Sequence, residues 1–131
     1  MKISNRARII TVFAYMAVIF ILSSMPGDKL AGRKLPVSDK LLHAGEYLLF
    51  GTLIAWAIIK DTASPVSLRK IGLVLAIGCG YALLDEFHQY FVPNRDMEFF
   101  DFAADTVGII LGTGLYVLII RQWISKQPNV S

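Results

Sequence analysis

Four stretches of this chain carry almost no charge: residues 9–22 (IITVFAYMAVIFIL), 44–59, 71–84 and 106–120, with Glu46 the lone exception. With their flanks they give apolar spans of about 20 residues near 7–25, 41–59, 70–91 and 102–120, the length that a hydrocarbon core of roughly 30 Å requires. A soluble bundle would repeat polar residues along one outer face of each helix, and none recur here. The chain therefore reads as all-α, an integral membrane four-helix bundle with up-and-down threading. Its 131 residues suit a single unit over 1–131 and are too few for two domains of ordinary size. The composition, 55% hydrophobic and 18% charged, leans the same way against the about 45–50% and 25% of soluble domains.

The first span has a competing reading. MKISNRAR followed by an apolar run resembles a secretory signal peptide in charge and length. No A-x-A site follows, however; the chain continues Ser23-Ser24-Met25-Pro26-Gly27. Retention as a helix is the expectation. Cys79 is the only cysteine, and mid-span among glycines it reads as a small packing residue, since a thiolate is unfavourable in apolar surroundings.

Threading puts Lys2, Arg6, Arg8, Lys60, Arg69, Lys70, Arg121 and Lys126 on one side and Lys29, Arg33, Lys34, Lys40 and Arg95 on the other. The richer side is expected to be cytoplasmic, which places both termini there. The net charge of +3 comes from residues at helix ends that anchor against headgroups, so it predicts no nucleic-acid partner. Nine of the ten acidic residues, all but Asp61, fall with His43 and His88 on or near the opposite, outer face. Ionisable side chains at membrane depth cost roughly 2.5–3.5 kcal/mol each by insertion scales. Function is therefore expected at that end.

Three helices deliver polar stripes to it. Asp39, His43 and Glu46/Tyr47 follow i, i+4, i+7/8 spacing behind a Ser38 or Asp39 cap. Residues 26–40 before them are expected to lie on the membrane surface. Tyr81, Asp85, His88 and Gln89 share a face of the third span, while Glu86 lies about a quarter turn away. Gly72, Gly78 and Gly80 in that span are expected to let another helix approach. Pro93 ends the helix and Asn94-Arg95-Asp96 turns the chain. Asp101 opens the fourth helix at the positive end of its dipole. Asp101, Asp105, Gly108 and Gly112 then form a stripe facing the bundle interior. Tyr15, Trp56, Trp123 and Phe99-Phe100 read as lipid-facing or interfacial aromatics.

Several chemistries fit these residue types. His43-x-x-Glu46 and Asp85-x-x-His88 are carboxylate/histidine pairs at i, i+3, a spacing that lets two ligands aim at one ion. Asp101 and Asp105 would complete an oxygen-rich divalent-metal site. A metal-free alternative uses His43 or His88 as general base with a carboxylic acid as partner, and Arg95 binding a phosphate or carboxylate. In the third reading the polar groups only pair with one another, Arg95 and Lys40 with carboxylates, and fix helix order. Conduction is disfavoured, since no ionisable residue reaches the inner half of a span. Two carboxylates 4 Å apart repel by about 4 kcal/mol at an effective dielectric of 20, so cations, protons or Arg95 must offset the cluster.

The ordered strings Ser24-Met25-Pro26-Gly27, Asp39-Lys40-x-x-His43-x-x-x-Tyr47, Tyr81-x-x-x-Asp85-Glu86-x-x-Gln89, Phe91-x-Pro93-x-Arg95 and Asp101-x-x-Ala104-Asp105-x-x-Gly108-x-x-x-Gly112 resemble the VanZ-like family. These are small multipass bacterial membrane proteins named for a member linked to teicoplanin resistance. In that family an Asn often stands where this chain has Asp105. The resemblance implies a cell-envelope role and supplies no reaction. The expected site has His43, Asp85, Glu86, Gln89 and Asp101 in catalytic roles and Asp39, Tyr47, Tyr81, Arg95 and Asp105 in binding roles. It would act on or bind a lipid-linked or cell-wall-derived molecule at the outer leaflet of the cytoplasmic membrane, with membrane lipids as the surrounding partners.

Overall fold

The computed structural model describes residues 3–27, 38–59 and 66–125, without the side chains of residues 121, 124 and 125. Four helices follow one another: α1 (Asn5–Ser23), α2 (Asp39–Ile58), α3 (Leu68–Gln89) and α4 (Phe99–Ser125). All four are long and apolar enough to cross a membrane. The first three begin about two residues before the apolar pattern does, because polar residues start them. Ser4 accepts from the Ala7 N–H, and Ser67 from the Arg69 N–H. Ser38 holds the cap position of α2 but its side chain makes no capping bond. That leaves Asp39, in the first turn, to complement the positive helix end. Most of the segment expected on the membrane surface, residues 28–37, lies outside the described residues.

The principal seam joins α2 to α4, and small residues make it. A Cβ on Gly108 or Gly112 would run into the α2 backbone at Ala44 and Leu48, and one on Gly51 would meet the Ile109 backbone. Asp101, Asp105, Gly108 and Gly112 are all buried, as the interior stripe requires. The glycines of α3 divide. Gly78 receives the Ile109 side chain, whereas Gly72 and Gly80 are exposed, and a methyl group added at either would meet nothing. At about 100° per residue, Gly78 lies on a different side of the helix from Gly72 and Gly80. Only Gly78 is a contact glycine.

Apolar residues face outward along the whole length. Ile10, Phe13 and Ile21 on α1, and Leu111, Leu118 and Ile119 on α4, are each more than half exposed. So continuous an apolar exterior is the lipid-facing surface of a membrane bundle. Trp123, Phe99 and Phe100 belong to it.

Two aromatics assigned to that exterior do not. Tyr15 is half-buried, stacks on Phe50 and donates to the Glu46 carbonyl at 3.1 Å. Trp56 is half-buried under the Arg8 guanidinium, whose carbon sits 4.8 Å from the ring centre, and Arg8 also donates to the Trp56 carbonyl at 2.7 Å. In both cases a polar atom seeks a partner inside the bundle, and the ring follows it.

α1 is held by α2 and α3. Its Ile19 is fully buried in the core beside Tyr47 and Phe50. The end of α1, the start of α2, the end of α3 and the start of α4 meet at one pole, so the chain runs up and down. There the Gly27 N–H donates to the Pro93 carbonyl at 3.2 Å. A Cβ on Gly27 would fall on the Asn94 carbonyl. Asn94 itself turns the chain with φ of 58°. Two sequence strings more than sixty positions apart are thus clasped together, and the clasp holds Arg95 at the pole.

Candidate functional site

The polar stripes converge at this pole but divide into two groups. The first lies between α1 and α3. Asp85, buried, accepts from the Ser23 hydroxyl at 2.6 Å and from the Gln89 amide at 3.4 Å. One turn outward, Ser24 and His88 Nε2 are 3.0 Å apart, and the His88 ring lies against Phe20. The second group lies among α2, α3 and α4. His43 Nδ1 is 3.0 Å from Asp105 Oδ1, and its Nε2 is 3.9 Å from Asp101 Oδ2. Glu86 turns to the same side, where one oxygen accepts the Glu98 N–H at 3.1 Å. Lys40 closes the outside of this group by pairing with Glu98 at 2.6 Å and with Asp101.

The quarter turn between Asp85 and Glu86 has its expected consequence: the first serves α1, the second serves α4. The two i, i+3 pairs do not. His43 is engaged by Asp105 on α4 rather than by Glu46, and Asp85 and His88 take separate partners on α1. Carboxylates on a neighbouring helix reach the imidazole where a residue on the same helix does not. His88 is not part of the cleft wall, and its Nε2 is taken up with the Ser24 hydroxyl.

A partly open cleft of about 360 Å³ lies between α1, α2 and α3. Its polar wall is Ser23, Asp39, His43, Glu46, Asp85, Gln89 and Arg95, and Tyr15, Leu22, Met25 and Leu42 supply the rest. Five of the ten expected site residues therefore line one cavity: Asp39, His43, Asp85, Gln89 and Arg95. Glu86 and Asp105 are fully buried behind it. Asp101 is buried beneath Lys40. Tyr47 is fully buried with its hydroxyl turned toward Asp85 and Asp105 without completing a hydrogen bond. Tyr81 is committed elsewhere, donating to the Met16 carbonyl at 2.6 Å while its ring packs on Phe50.

The sequence reading gave no role at the site to Tyr15 and Ser23 on α1 or to Ser24, which caps its end. Their signal was present: two hydroxyls close an otherwise apolar run at the pole where the acidic residues gather. Arg95 was expected to pair with a carboxylate if the network were structural. Among the described residues it forms no ion pair, whereas Lys40 does.

Two arrangements here have chemical capacity. His43 lines the cleft and is oriented from behind by Asp105, the geometry of a general base with its positioning carboxylate. Two groups of side chains, Asp39/His43/Asp101 and His43/Glu86/Asp105, each bring three donor atoms within 4.8 Å of one another.

A bundle of four apolar helices joined by small residues, with a polar site at one pole, defines a multipass membrane protein. The VanZ/LLP1 family model matches residues 8–121, so the chain belongs to that family. The match takes in nearly all of α1, which the structure uses to hold Asp85 through Ser23. No curated protein and no solved structure matches the chain.

Proposed function

We propose that this VanZ-family membrane protein binds the polar head of a lipid-linked or cell-wall-derived molecule in the cleft between α1, α2 and α3. The observation that carries this is the mixed wall of the cleft. Arg95, which forms no ion pair among the described residues, suits a phosphate or carboxylate, the carboxylates of Asp39, Glu46 and Asp85 suit hydroxyl or amine donors, and Leu22, Met25 and Leu42 continue the lipid-facing surface inward. About 360 Å³ is near the lower end of the ~300–1,000 Å³ of small-molecule sites. The cleft thus takes a head group, and an attached chain stays in lipid.

The test is the set of small amphiphiles that co-purify with the detergent-extracted protein, read by mass spectrometry. One head-group class is expected in the wild type and depleted at least about tenfold in Arg95→Ala, the loss of one charge-assisted contact. Identical lipid profiles for both would count against the cleft as a binding site.

The His43–Asp105 pair favours a second reading, in which the bound molecule is also hydrolysed or transferred with His43 as base. Under that reading His43→Gln retains the co-purifying molecule and accumulates it uncleaved.

The cleft opens to the outer face of the cytoplasmic membrane in this proposal, with both termini inside. The excess of Lys and Arg on the opposite side supports it. A reporter fused after Ser131 should read cytoplasmic, and one inserted near Gly32, outside the described residues, should read external. A C-terminus that reads external would turn the cleft toward the cytoplasm.

A further inference from the structure

Behind the cleft, His43 from α2, Glu86 from α3 and Asp105 from α4 each offer a donor atom, and the three lie within 4.8 Å of one another. All three residues are buried, Glu86 and Asp105 completely. Burial of two carboxylates so close together requires compensation, and the described residues supply only part of it. Glu86 receives one backbone N–H and Asp105 receives His43, but Glu86 Oε1 and Asp105 Oδ2 have no hydrogen-bond partner. The buried Tyr47 hydroxyl is turned toward Asp85 as well as Asp105 and completes no hydrogen bond to the Asp105 oxygen. The nearby cation, Lys40, is already held by Glu98 and Asp101 on the outside. Two fully buried carboxylates thus keep an oxygen each with no donor among the described residues, within one three-helix constellation.

We infer that His43, Glu86 and Asp105 form a binding site for a first-row divalent metal ion such as Mn²⁺ or Zn²⁺. One imidazole nitrogen and two carboxylates suit ions of this class better than Ca²⁺, which takes six to eight oxygens. Metal–ligand bonds of about 2.0–2.2 Å put donor atoms roughly 3–3.5 Å apart, a spacing that His43 Nδ1 and Asp105 Oδ1 already have at 3.0 Å, and no separation to be closed exceeds 4.8 Å. Small side-chain rotations suffice for the closure. The positive ion offsets the two carboxylates, and coordination positions not taken by the triad remain for water or for a group on a molecule in the cleft. His43, on the cleft wall, is the link between the two. The site stands apart from the amphiphile reading, because the ion alone tests it.

The experiment is calorimetric titration of the purified, chelator-stripped full chain in detergent with MnCl₂ and with ZnCl₂. About one ion per chain should bind, with affinity in the micromolar range or tighter. Glu86→Gln and Asp105→Asn should each weaken it by at least about tenfold. Glu86→Asp, which keeps the charge, should weaken it less, and Glu98→Gln, on the exposed side of Lys40, should leave it within about twofold. No binding of either ion by the wild type below about 100 µM overturns the inference, whatever the variants do. Binding that survives both Glu86→Gln and Asp105→Asn, or falls equally with Glu98→Gln, overturns it as well.

Discussion

Gly108→Val and Gly112→Val should each strip the protein from the membrane fraction or lower its melting temperature severely, at a cost of about 3 kcal/mol or more. The reason is the material on the other side of the seam. At Gly108 the added carbon meets the Ala44 carbonyl and the Leu48 nitrogen, and at Gly112 the Leu48 carbonyl. These are backbone atoms, which cannot rotate away as a side-chain tip does. The whole α2–α4 seam would have to open, and α2 carries His43 while α4 carries Asp105. Glycines whose added methyl meets nothing provide the control. Gly72→Ala and Gly80→Ala face outward on α3 and should be neutral or stabilising by about 0.5–1 kcal/mol, because alanine is the better helix former. Thermal unfolding in detergent across the four variants measures this directly. Equal effects in both pairs would mean that the seam is not where the packing lies.

A second large effect is expected at the polar pole. His43→Gln, Asp85→Asn and Glu86→Gln should each remove at least about nine-tenths of the protein's function, and the triple variant should lose little more than the worst single one. Residues that act as one unit show this non-additivity. Function here is read as whatever phenotype a deletion strain shows and the plasmid-borne protein restores. The expectation follows from His43 lying on the wall between the two groups: it faces the cleft that Asp85 lines and closes the triad that contains Glu86. Losses that multiply instead would show independent sites.

Much of this arrangement was legible in the sequence because lipid imposes so few solutions. Four uncharged runs permit only spanning helices, and an up-and-down path then brings Asp39, Asp85 and Asp101 to one pole. Helical period alone separated Glu86 from Asp85, and the structure sends them to different neighbours. It also aligned Asp101, Asp105, Gly108 and Gly112 on the face that meets α2. What period does not give is the identity of the helix across the interface. The i, i+3 pairs His43/Glu46 and Asp85/His88 were sound as geometry on one helix. Asp105 and Ser23, approaching from other helices, took the partners first. The partners of Ser23 and Tyr15 were hidden for a related reason. In a lipid-exposed helix a lone hydroxyl does not say where it points, and only the packed bundle shows α1 turning both toward the cleft.

A ligand site and a brace between helices differ most sharply in a sign, and the melting temperatures of Glu86→Gln and Asp105→Asn in detergent with chelator present measure it. Each substitution keeps the shape of the side chain and removes one charge from a buried cluster that contains oxygens without partners. In a ligand site such charges are held in place at the expense of stability. The expected result is therefore a melting temperature unchanged or raised by a few degrees, with function lost. Melting temperatures that fall in step with function would contradict it and make the cluster a brace.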